Sequence, residues 1–211
     1  ADDPAGADIV ILNTCSVRQH AEEKGWSEIG KFKKRHTTYD IRHNEPIIGL
    51  VGCMAQNYKE GVFEKAPAVD FAAGPADIAK IPAILKKLIS SQPYEIKIWE
   101  TEGQARPEEI YHSGFYEDKG HAYVVISEGC SNYCSYCVVP YVRGDIRHRA
   151  HTDIIKEITR AIDAGIKKVT LLGQNVNAYK SLCPADSGKE VGFVELLRMV
   201  NALAGLEEFS F

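Results

Sequence analysis

Short apolar runs alternate with amphipathic stretches along this 211-residue chain, and that alternation restricts it to an α/β architecture. Residues 8–14 read as a buried strand and residues 17–35 as a polar helical stretch, with further strands at 46–51 and 69–73. Between 76 and 89 the apolar positions 78, 81, 84, 85, 88 and 89 share one helix face, and Pro82 is expected to bend or shorten that helix. A second series starts with a strand at 122–127. A helix at 153–164 follows, with Thr152 to cap it and Gly165 to end it; then come a strand at 168–172, a helix at 193–204 before Gly205, and a strand at 208–211. Residues 90–120 differ in kind: Ser-Ser-Gln-Pro, charged positions, Gly103, Pro107, Gly114 and Gly120 have a linker composition, with a strand at 94–99. The expected division is a first domain at 1–90, a linker at 91–120 and a second domain at 121–211.

A parallel βα series also says where function sits. In barrels and open sheets alike, ligands bind at the carboxyl ends of the strands, in the loops leading to the helices. The loop at 128–151 is far longer than the usual two to six residues of a βα connection, which marks it as functional. It contains Cys130, Cys134 and Cys137, three thiols within eight residues. The segment Gly173-Gln174-Asn175 follows the strand at 168–172, so both loops are expected on one rim. Cys15 and Cys53 obey the same rule in the first series, each lying just beyond a strand. If those strands are parallel neighbours, the two thiols share an edge and could meet on a metal; the residues by themselves read equally as buried core cysteines.

Three thiolates from one loop, with no fourth nearby, suggest an unfilled metal shell. Zinc sites usually complete a tetrahedron from CxxC or HxxxH pairs, whereas iron-sulfur clusters take cysteines from short runs. Three ligands on a cubane leave one iron open to a small molecule. The alternatives are structural thiols or a zinc knuckle closed by His148 or His151. Cys183, in Ser-Leu-Cys-Pro-Ala, reads as an ordinary loop cysteine.

No apolar run approaches the roughly 18 residues of a membrane span, and residues 1–8 do not form a signal peptide. Reduced thiols and a cytoplasmic location are therefore expected, with no membrane partner. A net charge of -4 does not favour nucleic-acid binding by the whole surface. Positive charge is nevertheless clustered: Lys31, Lys33, Lys34 and Arg35 form one stretch, and Arg143, Arg147 and Arg149 follow the cysteines, where a phosphate-bearing substrate could approach.

The Cx3Cx2C run with Tyr136 before its last cysteine resembles the signature of the radical S-adenosylmethionine (SAM) enzymes. Asn13-Thr-Cys-Ser-Val-Arg18, Gly52-Cys-Met-Ala-Gln56, Val138-Val-Pro-Tyr-Val-Arg-Gly144 and Gly173-Gln-Asn-Val-Asn-Ala-Tyr179 narrow the resemblance to the methylthiotransferases, most closely the branch that modifies tRNA adenosine beside the anticodon. The match runs from about residue 8 to the end and is poor near 92–121. The resemblance implies a doubly wound, Rossmann-like amino-terminal methylthiotransferase domain followed by the first part of a radical SAM (β/α) partial TIM barrel. It also implies two 4Fe-4S clusters. One, at Cys130, Cys134 and Cys137, would bind SAM, with Tyr136, Gly173, Gln174 and Asn175 contacting that cofactor. The other would be an auxiliary cluster, of whose three family cysteines Cys15 and Cys53 match the second and third.

The first of those three cysteines has no counterpart here, and the chain is expected to be a fragment lacking both ends. By the same resemblance, a 5'-deoxyadenosyl radical formed from SAM abstracts a hydrogen, the auxiliary cluster supplies sulfur, and a second SAM methylates it. The substrate would be an N6-isopentenyl-type adenosine in a tRNA anticodon stem-loop, modified at carbon 2. The electron donor would be a flavodoxin or ferredoxin. No side chain is assigned as general acid or base, because the cofactors carry the hard chemistry. Two alternatives stay open: methylthiolation of another tRNA adenosine or of a ribosomal protein, and a two-cluster electron-transfer protein. Electron carriers usually complete four-cysteine shells, which weighs against the latter.

Overall fold

The computed structural model describes residues 7–33, 46–90, 97–103, 120–183 and 189–211. The chain divides into two compact units, one of Ala1–Pro107 with Tyr136–Arg143 and one of Glu108–Ser135 with Gly144–Phe211.

In the first unit, strands β1 (Ile9–Thr14), β2 (Ile47–Gly52), β3 (Phe71–Ala73) and β4 (Ile98–Glu100) form a parallel sheet in that order. Alternation along β2 sends its side chains to two different cores. Ile48 and Leu50 join Ile29 of α1 (Gln19–Lys33), Met54 of α2 (Cys53–Tyr58) and Val62 of α3 (Gly61–Lys65). Ile47 and Val51 join Phe71, Ala73 and Ile98, together with Ile84 and Leu88 of α4 (Ile81–Ser90). Helices thus cover both faces, as the near-continuous apolar run Ile-Ile-Gly-Leu-Val requires. Gly49 leaves the space that the Phe71 ring occupies. The expected helix at 76–89 divides into a 3-10 turn at Ile78–Lys80 and α4, which places Pro82 in the first turn, where its missing N–H breaks no helical bond. Residues 136–143, including the short helix α5 (Val139–Arg143), belong to this unit, and α2 packs against α5.

The second unit is built differently. Strands β5 (His121–Val125), β8 (Lys168–Leu172) and β11 (Glu208–Ser210) pair in parallel in chain order, with β8 central. One sheet face carries Ala122, Val124, Val169 and Leu171, packed against Ile154, Ile158 and Ala161 of α6 (His151–Asp163) and Leu196 and Val200 of α7 (Phe193–Asn201). The other face carries a polar row: His121 Nε2 lies 2.8 Å from Thr170 Oγ1, which lies 2.7 Å from Ser210 Oγ. Strands in sequence order with their helices on one face are the start of a (β/α) barrel wall.

Short antiparallel pairs complete this unit: β6 (Ser127–Glu128) with β7 (Arg147–His148), and β9 (Lys180–Cys183) with β10 (Lys189–Gly192). Cys183 thus ends a strand rather than sitting in a plain loop. Gly165 ends α6 as expected, at φ +91°, its amide bonded to Ile162 O and the Ile166 amide to Ala161 O, the Schellman pattern. Thr152 does not cap that helix. The extended residue Ala150 holds the cap position, and Ser181 Oγ accepts the His151 amide at 3.2 Å, so an orphan N–H is satisfied from outside the helix. The expected strand at 94–99 is described only from 97 onward, as β4; most of the expected linker lies outside the described residues.

Candidate functional site

The cysteine loop leaves β6 and returns through β7, and the two-residue ladder between them closes its neck. Inside that neck the Cys130 amide donates to Gly144 O at 3.1 Å. Asp145 holds entry and exit together: its Oδ1 accepts Ser131 Oγ at 3.1 Å and the Tyr133 hydroxyl at 2.9 Å, while the Ile146 amide donates to Ser131 Oγ. Gly129, at φ +73°, passes so close to the carbonyls of Gly144 and Asp145 that a Cβ there would overlap backbone atoms. Gly129→Ala is therefore expected to destabilise the loop by about 1–3 kcal/mol through strain that no side-chain rotation relieves. Thermal melting checks this; the midpoint should fall.

Exposure grades along the run. Cys130 is buried, Cys134 exposed and Cys137 half-buried, while Tyr136 is 89% exposed. Among the described residues, no three Cys, His, Asp or Glu side chains are grouped to hold a single metal ion. A cubane takes each thiolate at a separate iron, so three thiols in one loop match its donor type.

Gly173, just beyond β8, lies against the base of this loop. A Cβ on Gly173 would stand 2.5 Å from Ser127 Oγ and 3.2 Å from Val176 Cγ1, so glycine lets the two rim segments meet without displacing those side chains. Gln174 is exposed, and half-buried Asn175 precedes a 3-10 turn at Val176–Ala178. Ser127 Oγ is buried without a hydrogen-bond partner among the described residues. Neither Ser127 nor Asp145 stood out in the sequence, because each acts through a contact with a distant backbone segment.

Behind the rim is a buried polar network. Arg149 Nη2 lies 2.7 Å from Glu157 Oε2, Arg149 Nη1 donates to Val125 O at 2.6 Å, and the Tyr179 hydroxyl donates to Arg149 O at 2.8 Å. This corrects the expectation that Arg149 meets a phosphate: it is buried against a carboxylate. Arg147 is half-buried and reaches Asp145 O at 3.3 Å and Glu128 Oε2 at 3.9 Å. The two histidines considered as zinc ligands are also engaged: His148 meets the Tyr179 ring edge-on, and His151 Nδ1 is 3.1 Å from Ser181 Oγ. Burial, with Lys180 adding to it, holds the His148 imidazole below the ordinary histidine range.

Burial pushes the Tyr179 phenol up to about 12, against the opposing effects of Ser181 and Arg149. The unfolded phenol ionises near its ordinary value of about 10 while the folded one stays neutral, so this contribution to stability is intact below pH 10 and lost as pH rises through 12. Tyr179→Phe is expected to lower stability at neutral pH by about 1 kcal/mol and to remove that alkaline decline. Urea unfolding at neutral and alkaline pH checks both.

Cys15 and Cys53 sit on one edge of the first unit. Strands β1 and β2 pair in register up to Thr14 opposite Gly52, so the next residue of each chain is a cysteine. Gly52, at φ +93°, allows the approach, since a Cβ there would lie 2.5 Å from Thr14 O and 2.8 Å from Asn13 Oδ1. Each sulfur accepts a hydrogen bond: Val17 N to Cys15 Sγ at 3.4 Å and Arg143 Nε to Cys53 Sγ at 3.3 Å. Cysteines at neighbouring strand ends, each sulfur facing an N–H donor, have the chemistry of thiolate ligands. In the basic stretch, Lys31 pairs with Glu28 at 2.6 Å, while Lys34 and Arg35 lie outside the described residues.

Residues 1–74 match the model of the uncharacterized protein family UPF0004, and residues 124–208 match that of the radical SAM superfamily. A protein of Aeromonas salmonicida named tRNA-2-methylthio-N(6)-dimethylallyladenosine synthase is 37% identical over all of this chain and 42% of its own length. Proteins of the same name from Francisella tularensis subsp. holarctica and Vibrio campbellii are 37% and 36% identical, again over the whole chain and over 46% and 42% of their lengths. The chain thus spans less than half the length of these curated relatives.

Proposed function

We propose, for a chain whose residues 124–208 match the radical SAM superfamily and whose residues 1–74 match UPF0004, a part in a tRNA methylthiotransferase. The reaction is the SAM-dependent insertion of sulfur and a methyl group at carbon 2 of an N6-isopentenyl-type adenosine beside the anticodon. The observation that carries this reading is the alignment of the whole chain, cysteine loop included, with relatives named for that product. Cys130, Cys134 and Cys137 would hold the cluster that binds SAM, and Cys15 and Cys53 would supply two ligands of an auxiliary cluster. When bound, these groups supply a 5'-deoxyadenosyl radical and the inserted sulfur.

The chain's own residues do the placing. The β6–β7 neck and Asp145 fix the loop's geometry. Gly173 brings the β8 loop against Ser127, and we assign Gln174 and Asn175, which follow it, to contacts with SAM. Tyr136, exposed between two of the cysteines, is available to the same cofactor. We place the tRNA-modifying role in the cytoplasm with a flavodoxin or ferredoxin as electron donor, and the end of the first domain beyond β4 rather than at residue 90. Among the described residues no helix is long and apolar enough to cross a membrane.

The test is anaerobic reconstitution of the protein at its full length, reduction, and assay of SAM cleavage with and without tRNA. Deoxyadenosine together with a 2-methylthio nucleoside is expected. No deoxyadenosine under any condition sinks the radical reading; cleavage without a modified nucleoside removes the tRNA substrate and leaves the ribosomal-protein alternative.

A further inference from the structure

Arg143 is joined to Cys53 across 90 residues of sequence, within one compact unit, by a hydrogen bond from its Nε to the thiol sulfur at 3.3 Å. The contact is not incidental to an exposed side chain. Cys53 is 1% exposed and opens α2, Arg143 is half-buried and closes α5, and α2 and α5 pack together. Arg143 also ends the segment Tyr136–Arg143, which belongs to the same unit as Cys53.

We propose that Arg143 is a positioning residue for the auxiliary cluster, setting its reduction potential by donating to the Cys53 thiolate. This rests on the reading of Cys53 as a cluster ligand. A cluster's potential depends on its net charge, on hydrogen bonds to its sulfurs and on solvent exposure. On reduction the cluster accepts one electron and gains a negative charge, with no bond to Cys53 formed or broken. A cationic donor on the ligand sulfur stabilises that more negative form and raises the potential. An Nε–H within a rigid guanidinium plane does this directionally, which a lysine ammonium cannot reproduce in full.

The experiment uses the full-length protein with Cys130, Cys134 and Cys137 all replaced by alanine, so that only the auxiliary cluster remains, titrated with dithionite and followed by electron paramagnetic resonance. Arg143→Ala in that background is expected to keep its iron and shift the midpoint to more negative potential, and Arg143→Lys to shift it less. Arg143→Gln, which retains most of the bulk, gives the same reading if the alanine variant fails to take up iron. The sign separates this from mere loosening: admitted water would stabilise the reduced form and shift the midpoint upward. An unchanged or upward midpoint with iron retained overturns the role of Arg143. If the triple-alanine protein binds no iron, or keeps its iron after Cys53→Ala, the auxiliary-cluster reading itself fails and the proposal falls with it.

Discussion

Glu157→Ala is expected to destabilise the protein by about 3–5 kcal/mol, the usual cost of leaving one member of a buried ion pair without its partner. The side chains of Arg149 and Glu157 are only 6% and 8% exposed, so little water can replace the lost carboxylate. The guanidinium cannot withdraw, since its other arm donates to Val125 O and its backbone amide to Ile126 O. Lys168 and Glu208 meet at the same 2.7 Å, yet they are 52% and 61% exposed, and Glu208→Ala should leave the midpoint of unfolding almost unchanged. Burial, not distance, separates the two pairs. Urea unfolding of both variants checks this, and equal effects would contradict it. A double replacement, Arg149→Met with Glu157→Leu, should recover most of the loss, because the uncompensated charge is then gone.

On the proposed function, opposite outcomes are expected at the two cysteine sites of the full-length protein. Cys134→Ala should abolish SAM cleavage, because the exposed middle thiol of the run has no substitute among the neighbouring side chains, Ser131, Asn132, Tyr133 and Ser135. Cys53→Ala should spare cleavage and stop sulfur insertion, since that thiol stands at the carboxyl edge of a different sheet. Chromatographic assay of deoxyadenosine and of the methylthiolated nucleoside in the same reaction separates the two. If Cys53→Ala still gave the methylthio product, the auxiliary site would be misassigned.

Much of the fold was legible because burial imposes a period on the sequence. The strand at 168–172 lies where the apolar pattern put it, and Gly165 ends α6 because only a residue free to take φ +91° closes a Schellman turn there. Elements made by pairing rather than burial were not legible. Two-residue strands such as β6 and β7 leave no periodic trace, and helices of five or six residues such as α2, α3 and α5 are too short to show one. The misplaced cap at Thr152 has the same origin: the group that satisfies the helix end, Ser181, comes from a strand 30 residues away.

By itself the sequence determined the chemistry that is available. Cys15 and Cys53 beyond strands and three thiols in one overlong loop are a property of residue type and local spacing, and the chain carries both wherever it folds. What only the tertiary structure decided is how each charge near those thiols is used. Arg143, Arg147 and Arg149 read alike as a basic cluster, yet one meets a thiol, one a carbonyl and one a buried carboxylate. The reason is physical: a guanidinium's role is set by the acceptor and the solvent around it, and those come from segments distant in the chain.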